Sequence, residues 1–555
     1  MRIFASASIR SELYDLFLKY QELRNDLGYY DLCDVIFAAH AGLVLWKARQ
    51  GGRELPIHSV LVDEVQDCSQ ALIKTFMSAC SNPNALFLAG DTCQTIAKGV
   101  GGFRFQDIRN MFFTEQEEQR ARGVHADDAR FVNVPTLEQL ATNYRSHDGI
   151  LRCANVLVSL LVELFPNAVD RLRLEESKNR GEAPILLPDV TPLELYTLIH
   201  GSDKSKATAE FGANQCIIVR NLETKSKVRI DFPTALVMTV EECKGLEFED
   251  CIIYNFFSDS LADMRVVWMG VLNWVQGLMA KLNTSSDRKD VAVREMLAVL
   301  GSIAEKKGAA ELTECALADK LFKLDKGNLP AFEPSKHYIV CEEFKALYVS
   351  VTRAKSRVVF FDEDELKRAP LFELLERANV AHKMSLLARS KLADEGGTSS
   401  LAQASSQEDW RAQGVILFRA QRFEQAAKCF ENSNDALEYN EAAACRDITY
   451  AHSEGSAASL AVAAETLLSV FRQYGHAVHA RVAASCLIST GVAMGRTTGA
   501  VYLKMAATVL LKLEKPDEAA RCQHFITSGE GGDVLTNSLG VRHSQLMHHA
   551  WACCN

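Results

Sequence analysis

No uninterrupted apolar run in this chain approaches the ~20 residues that a membrane-spanning helix needs. Its first residues, Met1-Arg-Ile-Phe-Ala-Ser-Ala-Ser, reach Arg10 and Glu12 before a signal-peptide core forms. There is no excess of positive charge either. Lys and Arg number 61 against 71 Asp and Glu, a net −10, so nothing draws the molecule as a whole toward nucleic acid, and any such site must be a local groove. Sixteen cysteines contain no Cys-x-x-Cys pair. That speaks against a zinc site or a disulfide framework and for buried reduced thiols, with Cys93, Cys216, Cys243 and Cys251 in apolar segments. The vicinal Cys553-Cys554 is open to oxidation. No basic cluster marks nuclear import, and the expectation is an intracellular protein of nucleus or cytoplasm with no membrane partner. The last absence concerns phosphate. Gly-x-x-x-x-Gly-Lys-Ser/Thr occurs nowhere, and the cluster Gly99, Gly101, Gly102 lacks the Gly-Lys-Ser/Thr end.

What is present is ordinary globular material: 555 residues, 48% hydrophobic and 24% charged, enough for roughly three or four domains with substantial cores. The most informative stretch is Val60-Leu-Val-Asp-Glu-Val-Gln-Asp67, an apolar run ending in adjacent carboxylates. A buried strand that delivers Asp63 and Glu64 at its tip can hold Mg²⁺ and activate water, although such a run is also a plain strand-to-loop exit. Leu86-Phe-Leu-Ala repeats the layout and leads into Gly90-Asp-Thr-Cys-Gln-Thr-Ile96. Helical spacing across Ser69–Ala79 joins the two runs as one parallel crossover, which places Asp91 and Gln94 on the same sheet edge as Asp63 and Glu64. Further blocks are Asn143-Tyr-Arg-Ser146, Thr239-Val-Glu-Glu-Cys-Lys-Gly-Leu-Glu-Phe248 and Val349-Ser-Val-Thr-Arg-Ala-Lys-Ser-Arg357. Tyr144 offers a flat face, Arg145 a fork for phosphate oxygens, and an arginine ending such a block is either an arginine finger or a surface group.

In this order the five blocks resemble the UvrD/Rep class of superfamily-one DNA helicases, and most closely the TPR and ankyrin repeat-containing helicase-like subgroup. The resemblance implies an α/β fold of RecA-like P-loop NTPase lobes, the first incomplete, followed by an all-α TPR-like domain, with ATP and Mg²⁺ as cofactors and single-stranded nucleic acid, DNA in that class, as partner. It implies that Asp63 holds Mg²⁺, that Glu64 is the general base, and that Gln94, Arg145 and Arg353 attend the γ-phosphate. Tyr144, Gly245 and Glu247 would bind the nucleotide, while Thr239 and Lys244 would lie near nucleic acid. Phe103 and Phe105 would either stack on bases or pack in a core. Two departures stand out: the class's Thr-x-His is Thr239-Val240-Glu241 here, and the phosphate loop that should precede the carboxylate strand is missing. The resemblance therefore implies an N-terminally incomplete form.

The expected organisation is a partial first lobe over 1–160 and a second lobe over 165–385 with a helical insertion at 258–335. A Gly/Ser/Gln-rich linker at 393–409, a TPR-like helical domain at 410–525 and an unassigned tail at 531–555 complete it. Trp410, Gly414, Leu417, Ala426 and Phe430 carry the tetratricopeptide pattern of large, small and core positions. Two functions compete: an ATP-dependent helicase or translocase unable to hydrolyse ATP alone, and a catalytically inactive scaffold that binds protein partners through its helical tail.

Overall fold

Apolar residues at helical spacing produce two helices, α1 (Ala7–Asp26) and α2 (Leu32–Arg49), before the first strand. The computed structural model describes residues 7–49, 55–96, 103–128, 131–171, 173–200, 211–260, 338–384 and 405–529. β1 (Val60–Val62), α3 (Gln70–Ala79) and β2 (Leu86–Leu88) form the expected crossover, with Val60 opposite Leu86 and Val62 opposite Leu88 in parallel register. α3 starts where the Ser69 hydroxyl accepts from the Leu72 amide at 3.2 Å, a standard N-cap. One side of this two-stranded sheet packs on Val65, Ile73 and Met77 and on α4 (Phe105–Ala121) through Ile108 and Phe112. The period of two sends Leu61 and Phe87, which are partners in register, to the other face, where they are 75% and 64% exposed.

β3 (Thr142–Asn143) and β4 (Glu176–Ser177) pair in parallel around α5 (Asp148–Leu164), whose inner face is almost wholly buried. The main sheet follows. Its strands are β5 (Ile185–Leu187), β6 (Gln215–Val219), β7 (Leu236–Thr239), β8 (Phe248–Tyr254), β9 (Ala354–Phe361) and β10 (His382–Lys383). α6 (Pro192–His200), α7 (Leu222–Asp231), α8 (Val240–Cys243), α9 (Ile339–Val351) and α10 (Glu365–Arg377) occur between them. The spatial order is β10-β5-β9-β8-β6-β7, and every neighbouring pair is parallel. Such a sheet is covered on both faces, which is why its strands read as continuous apolar runs. Alternate residues divide accordingly: Cys216, Ile218, Met238, Ile253 and Phe360 enter one core, and Ile217, Val219, Val237, Ile252 and Phe361 the other. The apolar runs at 215–218, 235–238, 251–256 and 358–361 thus form β6 to β9, with β8 and β9 beginning earlier than the runs themselves. The expected insertion beyond Ser260, most of the linker and the tail from 531 lie outside the described residues.

The C-terminal part is helical: α11 (Gln407–Arg419), α12 (Phe423–Asn432), α13 (Ala436–Glu454), α14 (Ala457–Tyr474), α15 (Ala477–Ala493), α16 (Gly495–Thr498), α17 (Ala500–Lys512) and α18 (Pro516–Ser528). Apart from short α16, each packs mainly on its neighbours in sequence, the arrangement of a stacked array. The end of the expected linker is a helix start, because Ser406 and Asp409 form a reciprocal capping box on α11. Trp410, Leu417, Ala426 and Phe430 are buried between α11 and α12, and a Cβ on Gly414 would lie 2.5 Å from the Phe430 ring. The chain is therefore a mixed α/β protein with a parallel sheet and a helical C-terminal region. Among the described residues no helix is long and apolar enough to cross a membrane.

Candidate functional site

The carboxylate block leaves β1 through a sharp turn, with Glu64 in the left-handed region at φ 51° and both Asp63 and Glu64 exposed. Asp63 Oδ1 accepts from the Glu64 amide at 2.9 Å. Gln66 is fully buried; its amide nitrogen donates to Glu64 and its oxygen accepts from the Asp91 amide at 3.1 Å. This bridge requires a glycine at position 90, where a Cβ would lie 2.3 Å from the Gln66 oxygen. Asp91 then caps the next turn by accepting from the Cys93 amide at 2.9 Å, and takes a second bond from Gln94 Nε2 at 2.9 Å.

The structure brings Arg353 to this turn. Its guanidinium is 1% exposed and donates from Nη2 to Gln94 Oε1 at 3.2 Å, from Nε to the Val349 carbonyl at 3.0 Å and from Nη1 to the Leu246 carbonyl at 3.1 Å. Beside it the Tyr348 hydroxyl donates to Asp91 at 3.0 Å and to Glu175 at 3.4 Å, and Asn143 donates to Glu175 at 2.6 Å. Burial, then the Asp91 and Glu175 carboxylates, pushes the Tyr348 phenol well up. Burial likewise raises the Glu175 carboxyl, against the lowering effect of the Asn143 hydrogen bond. Motif reading did not find Tyr348 and Glu175. Tyr348 at least lies inside a recognised block, whereas Glu175 carries no signal in the sequence.

Most of the remaining positions are also engaged within the chain. Arg145 donates to Glu247 at 2.6 Å, and Lys355 lies 3.4 Å from the same carboxylate. Lys244 sits on both oxygens of Asp67, at 2.7 and 2.6 Å. Thr239 closes a capping box on α8 with Glu242, and Gly245 takes the positive φ of 79° that follows this short helix. Tyr144 stands 78% exposed. Phe103 is buried in the first core and meets Phe105 edge to face at 5.2 Å, so its ring presents no face to a base in this arrangement.

These elements enclose a cleft of about 860 Å³ lined by Glu64, Asp67, Arg220, Thr239, Lys244 and Arg422, among others. Arg422 belongs to the helical array. It donates to the Glu242 carbonyl at 2.7 Å and the Glu241 carbonyl at 3.2 Å, while Glu424 binds Lys225 at 2.9 Å and pairs with Arg229. Burial raises the Glu424 carboxyl, but hydrogen bonds from Arg229 and Lys225 outweigh it and hold the group below its ordinary value. A depressed carboxylate contributes stability above its unfolded-state pKa that is lost as pH falls through the folded-state one. Glu424→Gln should therefore lower stability at neutral pH by up to about 1 kcal/mol, solvent screening of the 37%-exposed carboxylate included, since Lys225 keeps Glu242 but loses one charged partner. In urea titrations the gap from the parent should close in acid.

A nucleotide fits these residues poorly. Each cation that would meet phosphate is spent: Arg353 on neutral acceptors, Lys244 on Asp67, Arg145 on Glu247. The cleft itself carries Glu64, Asp67, Glu241 and Glu242 beside Arg220, Lys244 and Arg422, charges of both signs in nearly equal number.

No protein-family profile matches the chain. Over 424 residues it is 32% identical to TPR and ankyrin repeat-containing protein 1 of Homo sapiens, a match that takes in 76% of this chain and 13% of that protein. The chain thus spans about an eighth of the length of that relative. The relationship corrects the sequence reading. What it supports is kinship with a repeat protein, TPR repeat included; the helicase, ATP-binding, nucleotide-binding, hydrolase and DNA-binding assignments have no support in it, and the spent cations of the cleft agree.

Proposed function

We propose that this chain is an interaction scaffold, in which an α/β body holds a helical array that recruits a protein partner. On this reading the order of the sequence blocks, which resembles the UvrD/Rep class, records descent of the fold: RecA-like lobes at 165–385 and, in part, 1–160 persist as a body, and the TPR-like domain at 410–525 does the binding. The observation that carries the proposal is where the array is tied and where it is open. Arg422 and Glu424 fasten the first helical pair to α7 and α8, whereas Tyr439, Arg446 and Tyr450 stand in one exposed line on α13 at i, i+7 and i+11. Tyrosine and arginine are the residue types that dominate interface energetics, and a solenoid presents such a line as a continuous surface. The repeat-protein relative supports the same reading.

The test is quantitative co-precipitation with the parent chain and with a triple variant, Tyr439→Ala, Arg446→Glu and Tyr450→Ala. Tyr450 is 53% and Tyr439 36% exposed, so the array should stay folded by circular dichroism, with a modestly lower midpoint, while proteins retained by the parent are lost. Identical sets retained by both would refute the assignment of this surface.

A further inference from the structure

Eighteen of the 37 exposed large apolar side chains among the described residues lie between Leu13 and Phe87, far more than scattered surface apolar residues explain. The densest part is α1. Of residues 10–26 only Gln21 and Arg24 are even half-buried, so the helix lacks the tertiary packing that normally holds a helix of this length in water. Its apolar residues are ordered. Leu13, Leu16, Tyr20 and Leu23, continued by Leu27 just past the helix end, follow a spacing of three and four residues, the seam of a helix that pairs with another helix. Leu16 is 62% and Leu23 60% exposed. α1 is tied to the start of α2, where the Tyr20 hydroxyl donates to Asp31 at 2.9 Å and Arg24 bridges Asp31 and Asp34 at 3.1 and 2.6 Å. α2 adds Leu32, Val35, Phe37, Val44 and Leu45 to the exposed apolar surface.

We propose that the chain forms a two-fold dimer in which α1 of one copy lies along α1 of a second, with α2 extending the contact. The seam is leucine at every inward position but Tyr20, whose hydroxyl is already paired with Asp31, so it is complementary to itself and meets the requirement of an isologous interface. Area favours this occupant. Fifteen exposed large apolar side chains lie between Leu13 and Leu45. At roughly 100 Å² apiece they offer about 1,500 Å² per copy, and burying half of that reaches the ~800 Å² per partner of a standard stable interface. A dimer would also present two helical arrays on one particle, so a partner with repeated epitopes would be held by avidity. The dimer does not depend on the scaffold reading.

Light scattering coupled to size exclusion, in reducing buffer so that exposed Cys33 forms no cross-link, reads the outcome directly. The 555-residue chain should elute at twice its own mass at low micromolar concentration, and Leu16→Glu with Leu23→Glu should halve that mass. Because these two side chains are mostly exposed in their own copy, the dissociated variant should keep the fold outside α1, with its main unfolding transition lowered only by the loss of association. A parent that remains monomeric, or a variant that remains dimeric, overturns the proposal; the first would leave the seam to a different protein.

Discussion

Arg353→Ala is expected to cost about 3 kcal/mol or more of folding stability, measured as a shift of the urea midpoint. The reason is local. Arg353 is the largest fully buried side chain among the described residues, and its guanidinium satisfies the Val349 and Leu246 carbonyls and the Gln94 amide oxygen at once. Alanine leaves these acceptors in a cavity without donors. Arg353→Lys should recover little, because one ammonium cannot reach acceptors spread around a planar fork. An arginine kept for a γ-phosphate predicts otherwise: stability near the parent's in both variants.

Gly414→Trp is expected to remove at least as much, at the upper end of overpacking costs, about 3 kcal/mol. Even a methyl group there meets the Phe430 ring at 2.5 Å, and the indole would force α11 from α12. The loss should not stop at the array. Trp410, Leu417 and Phe430 belong to the same apolar cluster as Ile218, Met238 and Phe360 of the main sheet, and Arg422 and Glu424 at the start of α12 bind α8 and α7. Calorimetry should show one transition moved to lower temperature. Two separated transitions, with the α/β body unmoved, would contradict this coupling.

Much of the fold was legible because period and burial coincide. β6 to β9 read as apolar runs since both faces of a parallel sheet are covered, and the Trp410–Gly414–Phe430 pattern marks a helix pair because only glycine lets that ring approach. Cleft chemistry was legible in residue type but not in state. Spacing places Gln94, Arg145, Lys244 and Arg353 near one another in kind, yet it cannot show whether an arginine faces a ligand or a neighbour's oxygen. Here the answers are Glu247 for Arg145 and Asp67 for Lys244, each reached across a long stretch of chain. Docking of the array was hidden for a related reason. Lys225 and Glu424 are ordinary surface residue types until the fold buries the lysine. The apolar residues of α1 recur at helical spacing, but only the structure leaves them without cover.

The central claim is that the cleft is internally satisfied and the chain acts by holding partners rather than by consuming nucleotide. It is tested most directly by titrating Mg²⁺-ATP into the 555-residue chain, with and without single-stranded DNA, and following phosphate release beside a Glu64→Gln variant. The account predicts no saturable heat and the same background release from both proteins. Turnover stimulated by DNA and abolished by Glu64→Gln would contradict it.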